Sequence, residues 1–282
     1  VNLSHRDLAG IYLMRLFTSL TVIMWMINTG PVVGHEFWIS PERYQVSDGE
    51  NIVAHLRVGQ DFRGASLAYI PTNIARFEMV NGDESLDVTA RIGDRPAMNI
   101  VAPSEGLWIV VHETTEFNLV YDDWEKFGAF VKHKDLSGTL ALHAERGLPQ
   151  IGFSEDYRRF AKSLIGVGKG LGQDRSIGLL TEIVALANPY IDDTSSGVPV
   201  LVLLEGAPRA DAQVEIFEKS SSGEVTSFTT RTNDVGQALI AVRPGHEYLI
   251  DSVTMRPIEA GDATVTPVWR SLWAALTFRV PE

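Results

Sequence analysis

The sequence contains no cysteine. That excludes disulfides, thiolate metal sites, iron–sulfur clusters and thiol nucleophiles. A metal held by this chain must be ligated by histidine, carboxylate, methionine or main-chain groups. Positive charge is also short: 24 Lys and Arg stand against 36 Asp and Glu, a formal net charge of −12. Such a balance argues against nucleic acid or an anionic membrane surface as a partner, and it modestly favours cations near the surface. Catalytic templates are missing as well. There is no Gly-x-Ser-x-Gly elbow and no His-Glu-x-x-His. The glycine-rich stretch Gly166–Gly172 lacks the closing Lys-Ser/Thr of a phosphate-binding loop and reads as a flexible loop. Met79, Met98 and Met255 are scattered and make no methionine-rich copper motif.

The chain does carry a leader pattern near its start. Met14-Arg15-Leu16-Phe17 opens like a start, and an apolar run extends from Leu16 to Ile27. Asn28 to Gly34 comes next, with Val32 and Gly34 at the −3 and −1 positions that signal peptidase prefers. The apolar run is short for a bilayer span, and Gly30-Pro31 breaks it. Residues 1–34 are therefore expected to be an upstream segment and a cleaved signal. The chain is then periplasmic or otherwise exported, without stable membrane insertion after cleavage. The exported chain would begin His35-Glu36-Phe37-Trp38. An N-terminal histidine offers two metal ligands in one chelate ring, the free α-amine and imidazole Nδ1.

Strand patterns dominate the chain beyond His35. Ile52, Ala54, Leu56 and Val58 alternate with Val53, His55 and Arg57. Segments 75–80 and 86–90 read as a hairpin about Asn81-Gly82, and Leu107 to Thr114 as another strand. Helical spacing takes over at 121–147, with Asp122 or Asp123 as the cap and Gly147 and Pro149 as the stop. Tyr157 to Val167 fits strand better than helix. From Val198 to Val280 the alternation returns, with turns at Asn233-Asp234 and Pro244-Gly245. The expected fold is mainly β: two β-sandwich domains of immunoglobulin or transthyretin type with a short helical insertion. The first spans 35–187, including the insertion at 121–147, and the second spans 188–282.

Candidate metal ligands emerge from these placements. His35 carries the chelate. His55 and His112 lie on strands that could fold back toward it. Trp269 and Trp273 share one face of the closing strand, as core or as an aromatic shelf.

Several segments resemble one bacterial family. They are His35-Glu36-Phe37-Trp38-Ile39, Leu56 to Gly64, Tyr157 to Leu164, Leu186-Ala187-Asn188-Pro189-Tyr190, and Trp269 to Phe278. The family comprises periplasmic proteins of unknown function, often labelled the periplasmic component of a cobalt/nickel uptake system. The resemblance implies a metal-related role, a membrane transporter as partner, and His35 as a ligand. Gly206 to Val214 and Thr232 to Ala238 are similar to transthyretin-like and carboxypeptidase-regulatory-like sandwiches, which are typically non-catalytic. The expected function is binding of a divalent transition metal: nickel or cobalt by the family's label, or copper by the Irving–Williams order. Two alternatives stay open: a copper redox enzyme with a histidine brace at His35, and a structural or adhesion module without metal.

Overall fold

The computed structural model describes residues 34–259 and 267–282. The expected leader up to Val33 lies outside the described residues. In chain order the strands of the first half are β1 (Glu36–Pro41), β2 (Gln45–Val46), β3 (Asn51–Gln60), β4 (Arg63–Leu67), β5 (Ile74–Asn81), β6 (Glu84–Asp87), β7 (Met98–Val101), β8 (Gly106–Thr114) and β9 (Phe117–Tyr121). The helices α1 (Trp124–His133) and α2 (Thr139–Glu145) come next. The second half holds β10 (Phe153–Val167), β11 (Thr181–Ala185), β12 (Val198–Leu204), β13 (Ala207–Pro208), β14 (Gln213–Lys219), β15 (Val225–Arg231), β16 (Gln237–Ile240), β17 (Glu247–Pro257) and β18 (Trp269–Arg279). The fold is mainly β, as expected.

One long sheet organises the molecule. Its order is β15-β14-β17-β18-β10-β8-β5-β6, with β2 and β9 also paired to β10. Two smaller sheets cover it, one of β1, β3, β4 and β7, the other of β11, β12, β13 and β16. The period-2 geometry of a strand sorts the central side chains into two faces. Phe160, Leu164, Leu272, Ala274, Leu276, Phe278, Val214 and Ile216 pack with Ile183, Val200, Val202 and Ile240 of the second small sheet. Ala161, Ile165, Ala275, Leu249 and Phe217 point the opposite way, toward Phe37, Ile39, Ile52 and Leu56 of the first. Burial on both faces explains why Leu272 to Phe278 is almost uninterruptedly apolar.

The two sandwiches thus share a layer. The expected boundary at 187/188 cuts through the central sheet, because β10 and β18 pair in parallel from Glu155↔Trp269 to Ser163↔Thr277. The described residues form one compact unit. Alternation marks a strand, but it carries no information about which distant strand lies beside it.

The helical insertion lies where the sequence placed it. Asp123 caps α1, its side chain accepting from the Glu125 and Lys126 amides. Phe127, Phe130 and Val131 pack with Phe153, Val253, Trp269 and Trp273 of the central sheet. Trp269 fills the core expected of it, and its indole N–H donates to His143 Nδ1 at 3.0 Å.

The hairpin of β3 and β4 turns through Asp61 and Phe62, both at positive φ. Gly59 and Gly64 face each other just beyond that turn. A Cβ on Gly64 would lie 2.3 Å from the Val58 carbonyl oxygen and 2.8 Å from the Trp38 ring. Gly64→Ala is therefore expected to cost about 1–3 kcal/mol by overpacking, read as a lower midpoint in urea.

Candidate functional site

The inward face that meets the first small sheet also carries α1 and α2, and between the two coverings runs a polar seam. Along β10 the same-face residues pass from Phe153 in the helical cluster, through Glu155, Tyr157 and Arg159, to Ala161 in the other core. Along β18 they pass from Trp269 through Ser271 and Trp273 to Ala275. Asp251 on β17 and Glu215 on β14 continue the row as register partners. The start of β1 closes the seam from outside.

A cavity of about 400 Å³ opens here. Trp273, Phe130 and Tyr157 form apolar wall, and Arg159, Glu155 and His35 are among its polar groups. Glu155 is buried, and its carboxyl accepts from Tyr121 Oη at 2.6 Å and from the Ser271 hydroxyl. Burial outweighs these bonds and pushes Glu155 up to about 7. Arg159 donates from Nη2 to the His35 carbonyl at 3.1 Å and lies over the rings of Tyr157, Trp273 and Phe37. Its buried Nε has no hydrogen-bond partner among the described residues. Trp273 is thus the aromatic shelf of the cavity as well as part of the core.

Beside the cavity lies a charge cluster. Lys134, at the C-cap of α1, sends its ammonium to Glu36 Oε1 at 2.9 Å, Glu215 Oε2 at 2.7 Å and Asp251 Oδ2 at 2.9 Å. Burial opposes the ammonium, but Asp251, Glu36 and Glu215 outweigh it and raise the lysine above its ordinary range. His133 Nε2 lies 3.1 Å from the other oxygen of Glu215, Oε1. Burial raises Glu215, but the bonds from His133 and Lys134 outweigh it and hold the carboxyl below its usual value. Burial pushes Asp251 up, and pushes Glu36 up to about 7.

The three histidines expected to share a metal are placed apart in their contacts. His35 is exposed at the cavity. His55 pairs across β1–β3 with Ser40, five residues beyond His35, which is about 17 Å of strand. Its ring bonds Ser66 Oγ at 3.0 Å and faces Glu42 at 3.4 Å. His112 is buried between the rings of Phe37 and Phe77, with neither nitrogen bonded among the described residues. Burial lowers its pKa to about 3, so the ring is neutral. Among the described residues, the group of three metal-type ligands that converges is Glu36, His133 and Glu215, with ligand atoms all within 4.8 Å of one another. Strand register is the reason: it fixes what lies opposite what, and it puts Ser40 rather than His35 against His55.

Glu155, Arg159, Glu215, Asp251 and Lys134 do not stand out in the sequence. The usable signal is a charge at a core-facing position of an otherwise apolar strand.

No curated protein matches the chain. Among solved structures, the tetra-tandem repeat in the extending region of a large adhesion protein is 10% identical over 87% of this chain and 49% of that one, with a TM-score of 0.20. The chain thus spans about half the length of that structure. The D0-D1 domain of Intimin is 12% identical over 86% of this chain and 97% of that one, also with a TM-score of 0.20. Residues 32–256 match the DUF4198 domain, whose description names no metal and no transport role. Since that match spans most of the sequence, the chain belongs to the DUF4198 family, a domain of unknown function.

Proposed function

We propose that the protein is an exported, non-catalytic binding protein for a divalent transition metal, nickel, cobalt or copper. The ion binds at the mouth of the cavity through His35 and is handed to a membrane transporter. The ligands are the imidazole and the α-amine that cleavage after Gly34 would free. The observation that carries this reading is the position of His35. It is exposed beside a cavity whose wall also includes Asp122 and Asp123. These carboxyls bring oxygen donors and negative charge to the neighbourhood of an amine–imidazole chelate. Among the described residues no helix is long and apolar enough to cross a membrane.

The test is titration with Cu(II) and Ni(II) of three proteins: one beginning at His35, its His35→Ala variant, and one with an extra glycine before His35. The first is expected to bind at least tenfold more tightly than the others. Its affinity should rise with pH as amine and imidazole lose their protons. Equal binding by all three, or binding by none, removes His35 from the function.

A further inference from the structure

We infer that Glu36, His133 and Glu215 form a second divalent-metal site, independent of the His35 chelate, in which Lys134 is a built-in partner of the ligating carboxylates rather than a competitor for the ion. The donor set is one imidazole nitrogen and two carboxylate oxygens, a combination suited to zinc, cobalt or nickel.

The geometry divides the carboxylate oxygens between the two cations. Lys134 uses Glu36 Oε1 and Glu215 Oε2. That leaves Glu36 Oε2 and Glu215 Oε1, and the latter already faces His133 Nε2 at 3.1 Å. Glu36 Oε2 is the telling atom. It belongs to a side chain 2% exposed, yet it has no hydrogen-bond donor among the described residues. A buried carboxylate oxygen without a partner carries a desolvation cost that a cation would remove. The ligand atoms lie within 4.8 Å of one another, and tetrahedral coordination at ordinary metal–ligand lengths needs about 3.4 Å. Small side-chain rotations close that gap.

Charge balance points the same way. Glu36, Glu215 and Asp251 surround the Lys134 ammonium, with the Arg159 guanidinium their next cation, so the three carboxylates, when ionised, keep a net negative charge that a divalent ion offsets. Access runs past His133, whose side chain is 37% exposed while the carboxylates lie beneath it. A half-exposed ligand over buried ones is a route by which an ion can enter and leave.

The experiment is made in the full chain carrying His35→Ala, which removes the imidazole of the first site. Co(II) is the probe, because its visible absorption reports nitrogen and oxygen ligation. This protein is expected to bind one Co(II) and to gain thermal stability from it. Adding His133→Ala, a change at a partly exposed position that leaves the core intact, should weaken binding at least tenfold and abolish the stabilisation. Glu36→Gln should weaken it as well. If the His35→Ala protein binds no Co(II), or binds it equally with and without His133, the second site does not exist. The His35 reading stands or falls separately, on the three-protein titration.

Discussion

Replacing Lys162 with methionine is expected to lower the stability of the fold by about 3–5 kcal/mol. Lys162 is buried on β10, on the face that meets the second small sheet. Its ammonium lies 2.7 Å from Asp174 Oδ1 and 3.0 Å from both Glu182 Oε1 and the Arg175 carbonyl. All three charged side chains are 1% exposed or less. Methionine keeps much of the volume and removes the charge, leaving two carboxylates in an apolar layer. Those carboxylates also organise the loop before β11. Asp174 accepts from the Arg175 and Ala185 amides, and Glu182 from Ser176 and the Ile177 amide. The loss therefore falls on the packing of the second small sheet against the central one. Burial already raises the Asp174 pKa, and without the lysine that acid should prefer the protonated form still more. The deficit should be greater at pH 8 than at pH 5, and chemical denaturation at the two pH values measures it. Adding Asp174→Asn and Glu182→Gln to the lysine change should recover part of the loss. A deficit below about 1 kcal/mol at pH 8 would show that the triad is not what holds the loop.

The second large effect is in the cavity. Glu155 rises from 4.5 unfolded to about 7 folded, with burial as the main cause. The folded protein then binds this proton more tightly than the unfolded chain. The stabilisation is fully present below pH 4.5, falls as pH climbs toward 7, and is gone above it. The total is about 3 kcal/mol. Glu36 shifts in the same direction, so the unmodified protein loses both contributions over one window. Glu155→Gln is expected to flatten part of that slope and to make the protein more stable than the unmodified form at pH 8. Urea midpoints between pH 5 and 8 give the comparison. The same slope in both proteins would mean that Glu155 is ionised throughout.

Local structure was legible because it is written in neighbouring residues. Asp123 at the start of α1, Gly147 after α2 and Asn81-Gly82 in the β5–β6 hairpin each do what their chemistry favours. The alternation from Ile52 to Val58 gave β3 its faces. Partnership over distance was not legible. Nothing in Phe160 or Ala274 says that they stand side by side, and the boundary at 187/188 resulted from that silence. The site was half visible. The leader pattern singles out His35, and that residue lines the cavity. The charged seam was hidden by two-sided burial. Where both faces of a strand are covered, period 2 no longer separates inside from outside. Glu155 and Arg159 on β10, Asp251 on β17 and Glu215 on β14 then read as ordinary polar positions. His55 and His112 lie on strands that could fold back toward His35, but register sets His55 against Ser40 and packing encloses His112 between Phe37 and Phe77.

The parallel pairing of β10 with β18 has a consequence for how the chain reaches its native state. The last strand in chain order occupies the middle of the long sheet, flanked by β10 and β17. Until Trp269–Arg279 arrives, β10 and β17 each present an unpaired apolar edge, and the sheet exists as two halves. Closing it joins residues as distant in sequence as Ser163 and Thr277, a contact whose loop entropy must be met before any reward. Assembly is therefore slow and late, and a chain halted before Trp269 offers two sticky edges to other chains. Vectorial synthesis cannot finish this protein domain by domain. It has to be kept unfolded, or kept from its neighbours, until nearly all of it is present.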